Sequence, residues 1–290
     1  MRNGSWGNPL LSGDILTGTG SRGAAMSRSG VAVWLLIHMA ALLLAASFTW
    51  NQAYKAWGGF DFSTLTRVET GETNSKGEAI TKVVVVDRVT GEHKPVPQFD
   101  MKAVNRLLWV GVIGGLIAGF IVISAKESAP LMGPIYAAFE GLALGGISAT
   151  YEVTYPGIVM QSFAATVLVM VVMFVLFTAR IIRATGPVVA VVIASMLGVL
   201  GVYLVDAIMG FWGDNLSIVH GNGWGAIAFS LFVCGLAAFN FIIDFESIEE
   251  GMKGQAPSYM NAYSAFSVMV TLVWLYLEIL RLIAKFKSKD

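Results

Sequence analysis

Seven apolar stretches, each long enough to cross a lipid bilayer, divide this chain of 290 residues. A helix needs about 20 apolar residues to span a hydrocarbon core about 30 Å thick. Only 13% of the residues are charged and 56% are hydrophobic, whereas soluble domains carry about a quarter charged residues. The sequence therefore predicts an all-α polytopic membrane protein, a seven-transmembrane-helix bundle, with spans at roughly 31–50, 104–124, 130–150, 156–178, 187–212, 224–244 and 264–284.

The predicted spans divide the chain into four parts. Residues 1–30, rich in Gly and Ser, are expected to be a disordered N-terminal segment. Residues 31–50 are expected to be a retained first transmembrane helix rather than a signal peptide, because no cleavage-like site follows them. Residues 51–103 form an extramembrane insert, and residues 104–287 form the six-helix remainder of the membrane domain.

The insert has a sequence typical of a β-hairpin. Its VVVVDRVTGEHK stretch, at 83–94, places β-branched residues before a Thr90–Gly91 turn and a short polar return. The sequence therefore predicts a small β-rich extramembrane insert between helices 1 and 2. Strands this short are marginal alone, so we expect the insert to rest on the membrane domain as a structural cap, with ligand binding as the alternative.

Glycines recur at one-turn spacing in two of the predicted spans. Gly111, Gly115 and Gly119 lie in the second span, and Gly141 and Gly145 lie in the third. Small residues four positions apart let helix backbones approach closely. The pattern predicts tightly packed helix pairs and carries no information about activity.

The positions of Lys and Arg predict a multi-pass protein of the cell inner (plasma) membrane with its N-terminus in the cytoplasm. Three arginines precede the first predicted span, and Lys126, Arg180 and Arg183 lie in loops that would share its side. The tail KFKSKD disagrees, since seven spans place its three lysines outside. Either the first helices set the orientation, or one segment is re-entrant.

Four acidic residues lie within the predicted spans: Glu140, Asp206, Asp244 and Glu278. An ionisable group at a span centre costs about 2.5–3.5 kcal/mol on insertion scales and usually faces the bundle or a water cavity. The helix rise orders the acids in depth from Asp244 at the cytoplasmic face, through Glu140 and Glu278, to Asp206 near the outer face. We expect no Lys, Arg or His in the interior to neutralise them, because Arg281 can reach outward, and buried carboxylates without counter-charges bind protons or cations.

Each acid also has a structural explanation. Asp206 and Asp244 lie near predicted helix ends, where solvated acids are common. Glu140 and Glu278 could be protonated acids that bond across helices, and Glu278 could pair with Arg281, three residues along the same helix. The cytoplasmic loop after the sixth span is expected to hold three further acids, Glu246, Glu249 and Glu250.

Recognisable enzyme motifs are missing from the sequence. It contains no HExxH, no phosphate-binding Gly-Lys-Ser/Thr loop, no GxSxG elbow and no His-rich cluster. The single Cys234 lies in an apolar run, so no disulfide framework or zinc site can be built from it. The formal net charge of zero argues against nucleic-acid binding. We therefore expect neither an enzyme nor a cofactor, with calcium entering only as a transported ion.

Four sequence stretches carry a resemblance to a known family. They are FEGLALGGIS at 139–148, YPGIVMQSF at 155–163, GLAAFNFIIDFESIEEG at 235–251 and TLVWLYLEILRLI at 271–283. In this order they resemble the Bax inhibitor-1/YccA (transmembrane Bax inhibitor motif) family, in a bacterial long form. The likeness covers about 104–287, and the insert has no counterpart in the short family members.

The resemblance implies a seven-helix protein with its last helix at the centre. It also implies that an acid ending the sixth span pairs with an acid in the seventh as a pH-sensitive latch. Asp244 matches the first position, whereas the second falls on Glu278 by the LYLE letters or on Thr271 or Trp274 by other alignments. Depth places Asp244 too far from Glu278 for contact, so we expect Glu278 to pair with Glu140 near mid-membrane.

Two hypotheses for function follow from the resemblance and the acids. The first is a pH-sensitive calcium (cation) leak channel, with transient calcium contacts at Asp244 and Glu278 and a route lined by these two residues, Glu140 and Asp206. The alternative is a non-conducting membrane interaction protein that modulates a membrane protease or another membrane partner. In either case we expect a monomer or weak oligomer in the lipid bilayer.

Overall fold

The computed structural model describes residues 25–53, 101–210 and 212–288, together with short strands between 68 and 94. Seven helices in it are long and apolar enough to cross a membrane. A multi-pass helical membrane protein is thereby confirmed. The helices are α1 (Arg28–Ala53), α2 (Met101–Ser124), α3 (Ala129–Thr154), α4 (Ile158–Thr178), α5 (Gly186–Gly210), α6 (Trp224–Lys253) and α7 (Tyr259–Lys287).

Two of the connections between helices contain a short helical turn. A 3-10 turn, Lys126–Ser128, joins α2 to α3, and Pro130 near the start of α3 suits a helix N-terminus because proline has no N–H to leave unpaired. A single helical turn, Ser217–His220, precedes α6. Gly157, before α4, has φ of 81°, a left-handed conformation that glycine adopts without strain.

In the part of the α1–α2 segment that the structure describes, there are five strands of two to four residues. The middle strand, β4, pairs antiparallel with β1 and β5, and β2 pairs antiparallel with β3. Most of the segment lies outside the described residues, so these strands do not establish the β-rich insert that we predicted. They are β1 (Val68–Glu69), β2 (Glu72–Thr73), β3 (Ala79–Ile80), β4 (Val83–Val86) and β5 (His93–Lys94).

The last helix, α7, lies at the centre of the bundle. It contacts α1, α3, α4 and α6, and its buried side chains extend from Asn261 to Lys285. Helix α5 lies at the edge of the bundle. Its buried side chains are Val192 and Val199, and its main contact is with α6. The central last helix implied by the family resemblance is therefore confirmed.

Helix α6 continues well past Asp244, which corrects the predicted span end. Its last residue is Lys253, nine positions beyond Asp244, or about 13 Å at the helical rise. The apolar face continues through Phe245, Ile248 and Met252, which are partly buried against neighbouring helices. This spacing of three and four residues extends the helix. The acids that we placed in a loop, Glu246, Glu249 and Glu250, therefore lie on α6.

The chain before α1 folds onto the connection between α6 and α7. Met26 N donates to Ala256 O at 2.8 Å, and Ser27 N donates to Asn261 Oδ1 at 2.9 Å. The Met26 side chain is buried against Gly251. Ala25 also forms an antiparallel bridge with Pro257. The predicted disorder of 1–30 is thus wrong from Ala25 onward, and for 1–24 the prediction lies outside the described residues.

The glycine stripes pack helices as predicted. A Cβ built at Gly145 would lie 2.5 Å from Ala46 O and 2.9 Å from Thr49 Cβ of α1. Gly141 faces the α1 backbone at Leu42 in the same way, and Gly111 faces α3. Since backbone atoms cannot rotate away as a flexible side chain can, α1 and α3 tolerate no methyl group between them.

We expect Gly145→Ala to lower the free energy of unfolding by about 1–3 kcal/mol, because the added methyl group overpacks the α1–α3 interface. Denaturant unfolding of the detergent-solubilised protein would measure the change. Gly198→Ala is the matched control, since nothing lies within 4 Å of a Cβ at Gly198 on α5. Equal stability of the two variants would contradict the packing.

Candidate functional site

Asp244 lies in a polar cluster between α6 and α7. Its side chain is 6% exposed. Ser267 Oγ donates to Asp244 Oδ1 and Thr271 Oγ1 donates to Asp244 Oδ2, both at 2.6 Å. Asn240 Nδ2 donates to Thr271 Oγ1 at 2.7 Å. We call these four residues, Asn240, Asp244, Ser267 and Thr271, the Asp244 cluster.

The local sequence explains why these four side chains meet. Asn240 and Asp244 are four residues apart on α6, and Ser267 and Thr271 are four apart on α7, so each pair shares one helix face. The faces point at each other across the contact between α6 and α7. Of the three α7 residues considered as partners for Asp244, which were Glu278, Thr271 and Trp274, Thr271 is the one that hydrogen-bonds to it.

The cluster holds a carboxylate without a positively charged partner. Among the described residues, the two hydroxyl groups are the hydrogen-bond donors to Asp244. Hydroxyl groups can donate or accept, so Ser267 can serve the charged and the protonated carboxyl group alike. Carboxylate, hydroxyl and amide oxygens are also the ligand types that Ca²⁺ takes. The arrangement can exchange a proton and offer oxygen contacts to a passing cation.

Glu278 pairs with Arg281 and Tyr203, away from Asp244. Arg281 Nη1 donates to Glu278 Oε1 at 3.1 Å and to Oε2 at 3.0 Å, and Tyr203 OH of α5 donates to Oε1 at 2.8 Å. Arg281 Nη1 also donates to the Tyr203 hydroxyl at 2.7 Å. The intrahelical pair, which we considered as an alternative, is therefore present.

The expectation that no cation neutralises these acids is wrong at Glu278. Arg281 stays with Glu278 because Tyr203 supplies both an acceptor oxygen and a ring, whose centroid lies 5.0 Å from Arg281 Cζ. Glu278 is 2% exposed, so without Arg281 it would be an unpaired buried carboxylate, which is strongly destabilising. The predicted separation of Asp244 from Glu278 is confirmed by their different partners.

Glu140 faces α2 and does not reach Glu278. Tyr136 OH, one turn earlier on α3, donates to Glu140 Oε1 at 2.7 Å. A Cβ at Gly115 of α2 would lie 3.6 Å from the same oxygen. Because Glu140 points to α2 while Glu278 points to α5, the predicted Glu140–Glu278 pair is wrong.

Asp206 fastens the connection between α5 and α6. Leu216 N donates to Asp206 Oδ1 at 2.8 Å, and His220 Nε2 lies 2.7 Å from Asp206 Oδ2. The His220 side chain is more than half exposed. These contacts fit an interfacial anchor for the connecting segment. The four predicted acids thus have four different sets of hydrogen-bond partners, and the described structure does not gather them into one cluster.

The sequence analysis did not predict the hydrogen-bonding roles of three buried polar side chains, Lys285, Tyr276 and Glu152. Lys285 Nζ donates to Ala226 O at 3.0 Å and to Ser230 Oγ at 2.8 Å, which satisfies an ammonium group that is almost fully buried. Tyr276 OH lies 2.7 Å from Ser148 Oγ of α3. The polar residues on α7 at one-turn spacing, Glu278, Arg281 and Lys285, were the available signal.

Glu152 is the third missed group, and its role is local. It accepts hydrogen bonds from Gly157 N at 2.5 Å and from Val159 N at 3.0 Å. A carboxylate is favourable at a helix N-terminus, where the first N–H groups have no partner within the helix. The sequence signal was the acid shortly before the Pro156–Gly157 turn that starts α4. Glu152 therefore caps α4.

Metal binding has no preformed centre in the described residues. No group of three His, Cys, Asp or Glu side chains gathers there as a metal site would require. Any calcium contact at the Asp244 cluster would use one carboxylate together with hydroxyl and amide oxygens. His38 belongs to no such group and is fully buried in α1 against Gly133.

We expect Arg281→Met to lower the free energy of unfolding by about 3–5 kcal/mol, because it leaves the buried Glu278 carboxylate unpaired. Adding Glu278→Gln should restore part of the loss, and a double-mutant cycle in detergent would measure both. Lys253→Gln is the control. Its salt bridge to Glu249 is exposed, so the expected loss is about 0–1 kcal/mol. An Arg281→Met loss no larger than this control would contradict the buried pair.

Comparison with known proteins agrees with the fold and with the sequence resemblance. A family model described as Bax inhibitor 1 like matches residues 8–288, and so includes α1 and the insert as well as the six later helices. Searches among curated proteins and solved structures gave no significant match. The extent of the family match is nearly the whole chain, and we conclude that the protein belongs to the Bax inhibitor 1 like family.

Proposed function

We propose that the protein is a non-enzymatic, pH-sensitive cation leak pathway, with calcium as the cation and Asp244 as the pH-responsive residue. The observation that supports this proposal is the burial of Asp244 between α6 and α7 with hydroxyl groups as its partners. A charge buried without a counter-charge is costly. Gain or loss of a proton at Asp244 therefore alters the contact between α6 and α7.

Because α7 is central, a change in the contact between α6 and α7 affects other helices as well. The helix packs against α1, α3 and α4 as well as α6, so a displacement at Ser267 and Thr271 changes packing throughout the bundle. Packed interfaces switch between discrete arrangements instead of deforming gradually. Protonation of Asp244 is the proposed event that selects between two such arrangements, one of which admits the cation.

The other predicted acids have structural roles in this proposal. Glu278 is held by Arg281 and Tyr203, and Asp206 fastens the segment before α6. Glu140 bonds to Tyr136 of its own helix. Asp244 differs from them because it is buried and its hydroxyl donors come from the facing helix α7, without a cation beside it among the described residues, so the pH response is assigned to Asp244.

We also propose an inner-membrane location with the N-terminus in the cytoplasm. The side on which α1 begins carries Arg28, Lys126, Arg180 and Arg183 at helix ends or in short loops. Cytoplasmic loops are enriched in such residues. Seven spans place the end of α7 on the opposite side, where Lys287 Nζ donates to Pro156 O at 3.3 Å. That contact holds one of the tail lysines against the α3–α4 connection.

The central prediction concerns Asp244→Asn in liposomes loaded with a calcium-sensitive dye. Asparagine keeps the size of the side chain but cannot change its charge with pH. We expect calcium flux across a pH series to become independent of pH in this variant, while the wild-type protein retains its response.

Glu250→Gln is the matched control, because Glu250 is exposed on the same helix and its neutralisation leaves the Asp244 cluster intact. Unchanged pH dependence in Asp244→Asn would refute the assignment of the sensor. Absence of calcium flux from the wild-type protein would refute the leak pathway and favour the non-conducting interaction protein, which co-purification with a membrane protease would then test.

Thr271→Asp tests the same contact from α7. The substitution places a second carboxyl group opposite Asp244, where Thr271 Oγ1 now lies 2.6 Å away. Two carboxylates at such a distance share one proton, so we expect the midpoint of the pH response to move to higher pH by about a unit or more. Trp274→Phe, on the same helix, should leave the midpoint unchanged. A midpoint that does not move in Thr271→Asp would contradict the pairing.

A further inference from the structure

A cavity of about 600 Å³ opens between α1, α4, α6 and α7, on the side of the bundle where α1 begins. None of the four residues of the Asp244 cluster lines it. Its walls are largely apolar, and they include Leu35 of α1, Phe174 of α4, Phe245 of α6 and Val268 of α7. Phe174 is 51% exposed, so the cavity is open sideways to the surroundings of the bundle, which in a membrane is lipid.

Three arginines stand at the mouth of this cavity. Arg28 begins α1, and Arg180 and Arg183 follow the end of α4. Arg183 is already neutralised, since its Nη1 lies 3.0 Å from Glu249 Oε2 and 3.3 Å from Glu246 Oε2. Its guanidinium also lies over the Phe177 ring, with Cζ 4.8 Å from the centroid.

Arg28 and Arg180 differ from Arg183, because neither has an ion pair with another described residue. Both are exposed. Arg180 has φ of 58°, in the left-handed region. A non-glycine residue rarely adopts that conformation, and here it ends α4 and turns the chain at the cavity mouth. Within the described part of the chain, the site thus offers two positive charges without an ion-pair partner beside an apolar chamber.

We propose that this cavity binds an anionic phospholipid from the membrane leaflet on the N-terminal side. The phosphate group contacts Arg28 and Arg180, and one acyl chain fills the space beside Phe174 and Leu35. Basic pockets between membrane helices recognise lipid headgroups through this combination of charge and apolar depth. A free phosphate ion would satisfy the arginines and leave the chamber empty, whereas a phospholipid uses both.

The arginines decide which lipid class binds. Each Arg near a membrane surface contributes about 1 kcal/mol of attraction to anionic lipid. Removal of both side chains should therefore weaken the binding of an anionic phospholipid by roughly 30-fold. A phospholipid without net charge should bind to the wild-type protein about as weakly as the anionic one binds to the double variant.

The experiment measures lipid binding to the full-length purified protein by native mass spectrometry. Phosphatidylglycerol and phosphatidylcholine with the same acyl chains are titrated separately, and inorganic phosphate forms a third arm. We expect phosphatidylglycerol to bind preferentially to the wild-type protein and this preference to disappear in Arg28→Gln/Arg180→Gln. Inorganic phosphate should neither bind measurably nor displace phosphatidylglycerol.

A control variant removes the same charge from the opposite membrane face. Lys102 and Arg106 are exposed near the start of α2, and Lys102→Gln/Arg106→Gln should bind lipid as the wild-type protein does. A second test leaves the arginines in place and fills the chamber. Ala32→Trp, at a residue that lines the cavity, should also abolish the preference.

Three results would overturn the proposal. The first is an unchanged lipid preference in both cavity variants, and the second is equal binding of the two phospholipids to the wild-type protein. The third is an equal loss in Lys102→Gln/Arg106→Gln, which would show that general surface charge causes the preference. Only variants that elute from a size-exclusion column at the same volume as the wild-type protein are compared. Ala32→Trp and Arg28→Gln/Arg180→Gln change different parts of the same cavity, so each tests it independently.

Discussion

Polar side chains on the central helix α7 must find partners on other helices, because hydrocarbon offers them none. The described structure shows how each neighbour supplies one. Helix α6 provides Asp244 for Ser267 and Thr271, α3 provides Ser148 for Tyr276, and α5 provides Tyr203 for the Glu278–Arg281 pair. Further along, α6 accepts the ammonium of Lys285 through Ser230 Oγ. These contacts fix the rotation of α7 about its axis, and with it the residue that faces Asp244.

With α7 in this orientation, Asp244 does not form the pair with an acid of α7 that the family resemblance implied. Thr271, not an acid, meets Asp244, while Glu278 lies seven residues further along and points to α5. Two facing acids share a proton because both cannot be charged at once. One acid facing two hydroxyl groups has no such conflict, since hydroxyl groups accept or donate as required. A pH response at this site would come from the burial of a single charge.

The positions of the helices and their close packing could be predicted from the periodicity of the sequence. The partners of the buried polar side chains could not. Apolar length located all seven helices. Glycine spacing predicted close packing at α2 and α3, and the structure identifies the pairs as α1–α3 and α2–α3. The end of α6 was misplaced because Glu246, Glu249 and Glu250 were interpreted as a loop, although Phe245, Ile248 and Met252 continue the helical pattern. Tyr203, the second partner of Glu278, was missed, because nothing in the sequence shows that α5 brings this hydroxyl group next to Glu278 and Arg281.

The Asp244 cluster and the basic cavity lie on the same segments of α6 and α7. Phe245 and Val268 line the cavity, and they directly follow Asp244 and Ser267 in the chain. A helix displacement at one location therefore moves side chains at the other. Binding equilibria at two linked sites influence each other by the same factor. If a bound lipid holds α6 against α1, it also favours one protonation state of Asp244, and a change of proton occupancy must alter lipid affinity by an equal ratio. Lipid composition and pH would then control a single helix contact.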